Sequence, residues 1–157
     1  MEYIIREIKK SEYPLLDNFL YEAIFVPEGM DAPAKSIINT PELQVYISDF
    51  GTQEDDHCLV AEADDKIVGA VWVRIMNDYG HIDDETPSFA ISLCKEYRGL
   101  GLGTEMMKKM LYLLKTNGYK KASLAVQKAN YAAKMYQRVG FEIVNENEEE
   151  YIMVNHL

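Results

Sequence analysis

The sequence predicts a single α/β domain over residues 1–157, built on a largely antiparallel sheet. Three observations carry this. Strand-like and helix-like runs alternate in the order β-α-α-β-β-β-α-β-α-β-β. Neighbouring strand-like runs are joined by short acidic turns, the signal of an antiparallel hairpin. The chain is also long enough to bury one sizeable core, and its 48% apolar and 27% charged residues are those of an ordinary globular domain.

Tyr3 to Ile8 is a short β-like opening. Ser11 can cap the helix that follows, and Pro14 fits its first turn. Leu15, Leu16, Phe19, Leu20 and Ala23 then keep helical spacing. Val26 to Ala34, with two prolines and a glycine, breaks that helix. Pro41 begins a second helix that carries Leu43, Val45, Tyr46 and Phe50 towards Gly51. After the polar loop Gln53 to Asp56, two strands, His57 to Glu62 and Lys66 to Met76, flank the turn Ala63-Asp64-Asp65. Asn77 to Pro87 is a polar, acidic loop, and Ser88 to Cys94 is the fourth strand.

Met106, Met107, Met110, Leu111 and Leu114 form the apolar stripe of a third helix, Thr104 to Lys115, closed by Asn117-Gly118. Lys121 to Val126 reads as a strand and Ala129 to Val139 as a helix ending at Gly140. Phe141 to Val144 and Tyr151 to Val154 form a last pair of strands around the acidic turn Asn145 to Glu150.

Composition excludes several functions. The chain has 16 basic and 26 acidic residues, a net charge of −10. A nucleic-acid surface needs clustered Lys and Arg, so none is expected. A negative field favours approach of a cationic acceptor such as an amine, the alternative being acidity that serves solubility alone. Three scattered histidines and two cysteines without a Cys-x-x-Cys pair give no metal spacing, so no metal is expected. Cys58 and Cys94 lie in apolar strand-like runs and read as small buried hydrophobes. No apolar run is long enough for a membrane span, and the first residues lack signal-peptide features. The expected location is cytoplasmic.

The most informative segment is Arg98-Gly99-Leu100-Gly101-Leu102-Gly103-Thr104. Glycines at alternate positions let the backbone adopt positive φ and approach a ligand closely. A glycine-rich turn that opens a helix aims unpaired N–H groups and the positive end of the helix dipole at an anion, here most naturally a pyrophosphate. A dinucleotide site would need an early βαβ unit and an acid about 20 residues on. The turn instead follows the fourth strand, and that offset falls near Tyr119 and Lys120. A phosphate-binding P-loop needs Gly-Lys-Ser/Thr, and Gly103-Thr104 lacks the lysine.

The turn resembles the acyl-CoA loop of the GNAT superfamily of N-acetyltransferases, Arg/Gln-x-x-Gly-x-Gly/Ala. Arg98, Gly101 and Gly103 fill its fixed positions. Ile91 to Tyr97 resembles the family's fourth strand and its exit, and Tyr136-Gln137-Arg138-Val139-Gly140-Phe141 resembles the late Tyr-x-x-x-Gly-Phe signature, 38 residues after Arg98. With the element order, the resemblance covers nearly the whole chain. It implies a mixed, mainly antiparallel central sheet of about seven strands flanked by helices.

The resemblance also implies roles. Backbone N–H groups of Gly99, Gly101, Leu102, Gly103 and Thr104 would hold the CoA pyrophosphate, and the Arg98 side chain either adds charge there or is a surface arginine. The pantetheine arm would lie along Ile91 and Leu93, pairing with the strand's backbone. A backbone N–H of that strand would stabilise the thioester oxygen. Tyr136 matches the tyrosine that protonates the leaving thiolate, the alternative being a packed aromatic.

Two positions depart from the pattern. The fifth strand carries Ala125 where some family members have a glutamate base. An acid of the Asn77–Pro87 loop, Asp83, Asp84 or Glu85, is then a candidate base through water, against the alternative of a solvated loop. Asn130 stands six residues before Tyr136, one fewer than the family's CoA-contacting asparagine. It fits either that contact or a helix N-cap. The acceptor is expected near Phe25 to Thr40 and the Asn77–Pro87 loop, with Tyr21, Phe25, Met30 and Trp72 as wall or core residues.

The function implied is transfer of an acetyl group from acetyl-CoA to a primary amine of a small molecule or protein, by direct attack in a ternary complex. The alternative is a non-catalytic acyl-CoA-binding sensor or interaction module, supported by the missing glutamate. Folds of this type often form homodimers, and no segment of the sequence identifies an interface.

Overall fold

A computed structural model describes residues 2–157. The strands are β1 (Ile4–Glu7), β2 (His57–Ala63), β3 (Lys66–Arg74), β4 (Ser88–Leu93), β5 (Lys121–Gln127), β6 (Glu142–Glu146) and β7 (Glu150–His156). The α-helices are α1 (Leu15–Ala23), α2 (Pro41–Gln44), α3 (Leu102–Thr116) and α4 (Ala132–Arg138). One mixed sheet runs in the order β1-β2-β3-β4-β5-β7-β6. Every neighbouring pair is antiparallel except β4 and β5.

Strand alternation gives the sheet two apolar faces. On one face Leu59, Val71, Val73, Phe89, Leu124, Val126 and Met153 pack with Met106, Met107, Met110 and Leu114 of α3 and with Tyr136 and Phe141. On the other, Cys58, Val60, Ala70 and Trp72 pack with Leu16, Phe19 and Leu20 of α1 and with Ile47 and Phe50. The methionine stripe of α3 is fully buried, which is why a helix of modest overall hydropathy docks firmly.

The parallel pair decides the shape of the molecule. β4 and β5 are paired at one position, Ser88 with Ser123. A polar knot holds that point. Ser88 Oγ lies 3.2 Å from Ser123 Oγ, Ser88 Oγ donates to Asp78 Oδ1 at 3.1 Å, and Ser123 Oγ donates to the Gly80 carbonyl at 2.8 Å. Gly80 is pressed so close that a Cβ there would sit 3.1 Å from the Ala125 nitrogen. Beyond the knot the strands splay, and the edges they turn to each other are left without ladder partners.

Several bounds differ from the sequence reading. The second helix stops after one turn, at Gln44. Arg74 explains this: its guanidinium takes the Val45 and Ser48 carbonyls, at 3.2 and 2.8 Å, that a continuing helix would have used. Asp49 and Gly51 then turn with positive φ. β3 ends at Arg74, two residues before Met76, where Arg74 is drawn into an ion pair with Asp56. A short 3₁₀ turn, Lys35–Asn39, lies between the first two helices, where the sequence predicts no element. α4 starts at Ala132 rather than Ala129, because Asn130 Oδ1 accepts the Ala132 N–H at 2.9 Å. Glu150 opens β7 instead of closing the preceding turn. Asn147 holds that turn by accepting the N–H groups of Glu149 and Glu150.

Candidate active site

The splay opens two adjoining cavities. The larger, about 930 Å³, runs from Arg98 and Gly103 along Ile91, Ser92 and Leu93, between the end of α1 and the start of α4. The smaller, the inner cavity, is about 270 Å³ and lies between Leu20, Leu43 and Tyr46 on one side and Leu124 to Gln127 and Glu150 on the other. Ala23, Ile24, Phe25, Ile91, Asn130 and Tyr136 line both, so this is where they meet.

The outer cavity is built to receive backbone hydrogen bonds. Cys94 N–H donates to the Val68 carbonyl at 2.8 Å, which fixes which β4 groups face β3. Alternation then turns the N–H and C=O groups of Ile91 and Leu93 towards the gap. At the far end, Gly99 and Gly101 adopt φ of +75° and +85° and turn the chain into α3. A Cβ at either would meet open space, so glycine is required there by conformation and not by neighbouring atoms. Gly103 lies inside the helix and packs on β4, where a Cβ would sit 3.3 Å from Leu93 Cδ1. Among the described residues, the backbone N–H groups from Gly99 through Thr104 have no hydrogen-bond acceptor. They form an anion cradle at the start of a helix of 15 residues. Leu102 buries its side chain in the core, leaving only its backbone for that cradle.

Arg98 is committed elsewhere. Its Nε donates to the Leu93 carbonyl at 2.9 Å and its guanidinium reaches the Glu22 carbonyl at 3.4 Å and the Glu22 carboxylate at 3.9 Å. It staples the exit of β4 to the end of α1 while still lining the cavity. Ser92 was not singled out in the sequence, although its position between Ile91 and Leu93 offers the signal. Its hydroxyl is buried, lines the outer cavity and has no partner among the described residues.

Tyr136 sits at the junction. Its ring is 8% exposed and stands edge-to-face to Phe141, which in turn meets Phe89 edge-to-face. Its hydroxyl has no hydrogen-bond partner among the described residues, and burial pushes its pKa up to about 12. Both roles read for Asn130 are compatible: its Oδ1 caps α4, and the residue lines both cavities.

The inner cavity is apolar with a polar far wall. Tyr46 donates to Asp78 Oδ2 at 3.2 Å, and its own carbonyl accepts the Trp72 indole N–H at 3.0 Å. The Asp78 carboxyl is pushed up by burial, against hydrogen bonds from Ser88, Tyr46 and backbone N–H groups. Glu150 lines the wall directly, and burial raises its carboxyl as well, with Glu149 adding to it.

Of the loop acids, none lines either cavity. Asp83 is tied to Thr86, the Glu85 N–H and Lys121, which hold its carboxyl below the usual range. Asp84 lies 3.6 Å from His81 on the surface, and Glu85 is exposed. Tyr21, Phe25 and Met30 line the outer cavity, whereas Trp72 is wholly buried in the core. Cys58 and Cys94 line neither cavity, and burial pushes both thiols up. No group of three or more metal-binding side chains occurs among the described residues. No helix among them is long and apolar enough to cross a membrane.

Comparison with known proteins agrees with this architecture. The chain is 33% identical over 84 residues to "Probable N-acetyltransferase camello" of Xenopus tropicalis, and 32% identical over 62 residues to the ribosomal protein bS18-alanine N-acetyltransferase of Haemophilus influenzae. These matches take in 53% and 40% of the chain but only 37% and 42% of the relatives' lengths. The PaiA N-acetyltransferase of Thermoplasma acidophilum, solved in complex with coenzyme A, shares the fold with a TM-score of 0.73 at 18% identity, covering 100% of both chains. A GNAT-family acetyltransferase of Streptococcus pneumoniae does so with a TM-score of 0.71 at 20% identity, over 99% of this chain and 100% of its own. Residues 20–141 match the Acetyltransferase (GNAT) family, and with that match, the seven-stranded splayed sheet and the glycine turn in place, the chain belongs to that family.

Proposed function

We propose that the protein is an N-acetyltransferase that moves the acetyl group of acetyl-CoA to a primary amine by direct attack in a ternary complex. The observation that carries the reading is the junction of the two cavities at Ile91 and Tyr136. It gives the donor and the acceptor separate cavities that meet at one point.

The residues fit the donor. The unpaired N–H groups of Gly99 to Thr104 suit a pyrophosphate, and the edge of β4 suits an amide-bearing arm. The orphaned Ser92 hydroxyl adds a polar contact on the same wall. Arg98 contributes here by holding the strand exit, and Asn130 by shaping the mouth beside Tyr136.

Direct attack needs a neutral amine, a donor for the thioester oxygen and a proton for the leaving sulfur. The Ile91 N–H, turned to the gap, is the oxygen's donor. The Tyr136 hydroxyl, free of other partners and protonated at neutral pH, is the sulfur's. A cytoplasmic location belongs to this reading on the sequence grounds given above.

The competing reading is an acyl-CoA-binding module without turnover. Acetyl-CoA-dependent thiol release, measured against a panel of primary amines, separates the two. Transfer predicts amine-dependent release, with Tyr136→Phe lowering kcat by about 10²-fold while the Kd for acetyl-CoA stays near the wild-type value. Tight binding without release on any amine would leave the module.

A further inference from the structure

Strand β5 lines the inner cavity with Leu124, Ala125, Val126 and Gln127 and offers it no carboxylate. The pairing of β5 with β7 supplies one. Ala125 is opposite Ile152 and Gln127 is opposite Glu150. Cross-strand partners point to one face, as do alternate residues of one strand. Ala125 and Glu150 are therefore diagonal neighbours on the same face, about 7 Å apart at their Cβ atoms, a gap a glutamate side chain spans. We infer that Glu150 of β7 is the acceptor-side base, and that the inner cavity takes a small primary amine with one ammonium group and an apolar body. This rests on the transfer reading above and narrows it.

Three observations support the assignment. Among the described residues, Glu150 is the one carboxylate on the wall of the inner cavity, and its carboxylate has neither an ion-pair nor a hydrogen-bond partner. The nearest cation on this face, Lys128, is taken by Glu146 at 3.2 Å and lies over the Tyr151 ring. Asp78, a second half-buried acid near this cavity, has its two oxygens occupied by Ser88 and Tyr46 and stands behind Tyr46. Its place is to hold the Tyr46 ring against the cavity. The groups that face Glu150 are thus Tyr46 from the segment after α2, Gln127 from β5 and Glu149 beside it, with Asp78 one shell away. Burial and the negative neighbour both raise its carboxyl, which moves it towards the range where a base exchanges protons with an amine.

Leu20, Leu43, Phe89, Leu124 and Val126 form the apolar part of the wall, with Gln127 and Asn130 as its other polar side chains beside Tyr46, Tyr136 and Glu150. Such a wall favours an alkyl or aryl body and penalises a second, unpaired charge. The volume of about 270 Å³ suits a small amine.

The step balances as follows. Glu150 takes a proton from the ammonium, and the freed lone pair forms the N–C bond at the thioester carbonyl carbon. The C–S bond breaks, and its electron pair leaves on sulfur. Tyr136 gives that sulfur a proton and recovers one from the new amide nitrogen. Glu150 then returns its proton to water.

The test is steady-state kinetics of wild type and Glu150→Gln with butylamine, phenethylamine and 1,4-diaminobutane, across pH, beside acetyl-CoA binding by calorimetry. The expected result is wild-type preference for the two monoamines. Glu150→Gln should lower kcat/KM for them by about 10²-fold near neutrality, lose the acidic limb of the profile and keep the wild-type Kd for acetyl-CoA. The unchanged Kd also reports that the variant is folded. Wild-type turnover matched by Glu150→Gln, acidic limb included, overturns the role of Glu150 alone. Preference for the diamine overturns the substrate class. A wild-type protein that binds acetyl-CoA and acetylates no amine overturns this inference together with the transfer reading.

Discussion

In the proposed reaction Tyr136 joins a packed ring to a proton-donating hydroxyl. Its ring belongs to the core through Phe141 and Phe89, while the residue also lines the junction of both cavities. The motif located it in the sequence, but only the structure shows that the hydroxyl has no other partner. Burial alone raises its pKa, to about 12, so the phenol stays protonated as pH rises through the neutral and mildly basic range. The expected consequence is a kcat that shows no decline traceable to Tyr136 from about pH 7 to about pH 10, checked by comparing wild-type and Tyr136→Phe profiles. Glu150 is the opposite case. In the sequence it closes a run of acids around a turn, with nothing to mark it. It acquires a role only through its register opposite Gln127, a long-range pairing that local pattern does not reveal.

At the scale of elements, the sequence was most informative where local chemistry governs. The strand–turn–helix around Arg98 to Thr104 was legible because positive φ at Gly99 and Gly101 has few side-chain solutions. Gly101→Ala should therefore strain the turn by about 1–2 kcal/mol. It should weaken acetyl-CoA binding while leaving acetyl-pantetheine, which lacks the pyrophosphate, nearly unaffected. Calorimetry on both ligands checks this. The second helix was not legible, because its early end depends on Arg74 from a strand far along the chain. That arginine also pairs with Asp56 through two bonds of 3.1 Å and lies over Phe50. Both charged side chains are essentially buried, so Arg74→Met leaves the Asp56 carboxylate unpaired and should cost about 3–5 kcal/mol of stability. Denaturant unfolding would show it, with Arg74→Met/Asp56→Asn recovering part of the loss.

For the whole molecule, element order and the number of strands follow from the pattern of apolar runs, and the fold of the GNAT family agrees. The splay itself does not. It depends on one bridge, Ser88 with Ser123, held by Asp78 and Gly80 from a loop that the sequence marks only as polar. Opening the sheet there divides the site into an outer groove with an anion cradle at one end and an inner apolar cavity with a carboxylate at the other. In the proposed reaction the net charge of −10 would favour a cationic acceptor, and the phosphates of the donor would rely on the local N–H groups of Gly99 to Thr104 against the overall field. The most direct test of this division is a crystal structure of the protein with CoA. The account predicts the pyrophosphate on the N–H groups of Gly99 to Thr104, the arm along Ile91 and Leu93, and the sulfur within hydrogen-bond reach of the Tyr136 hydroxyl. CoA bound with its sulfur away from Tyr136, or with its pyrophosphate off the glycine turn, would contradict it.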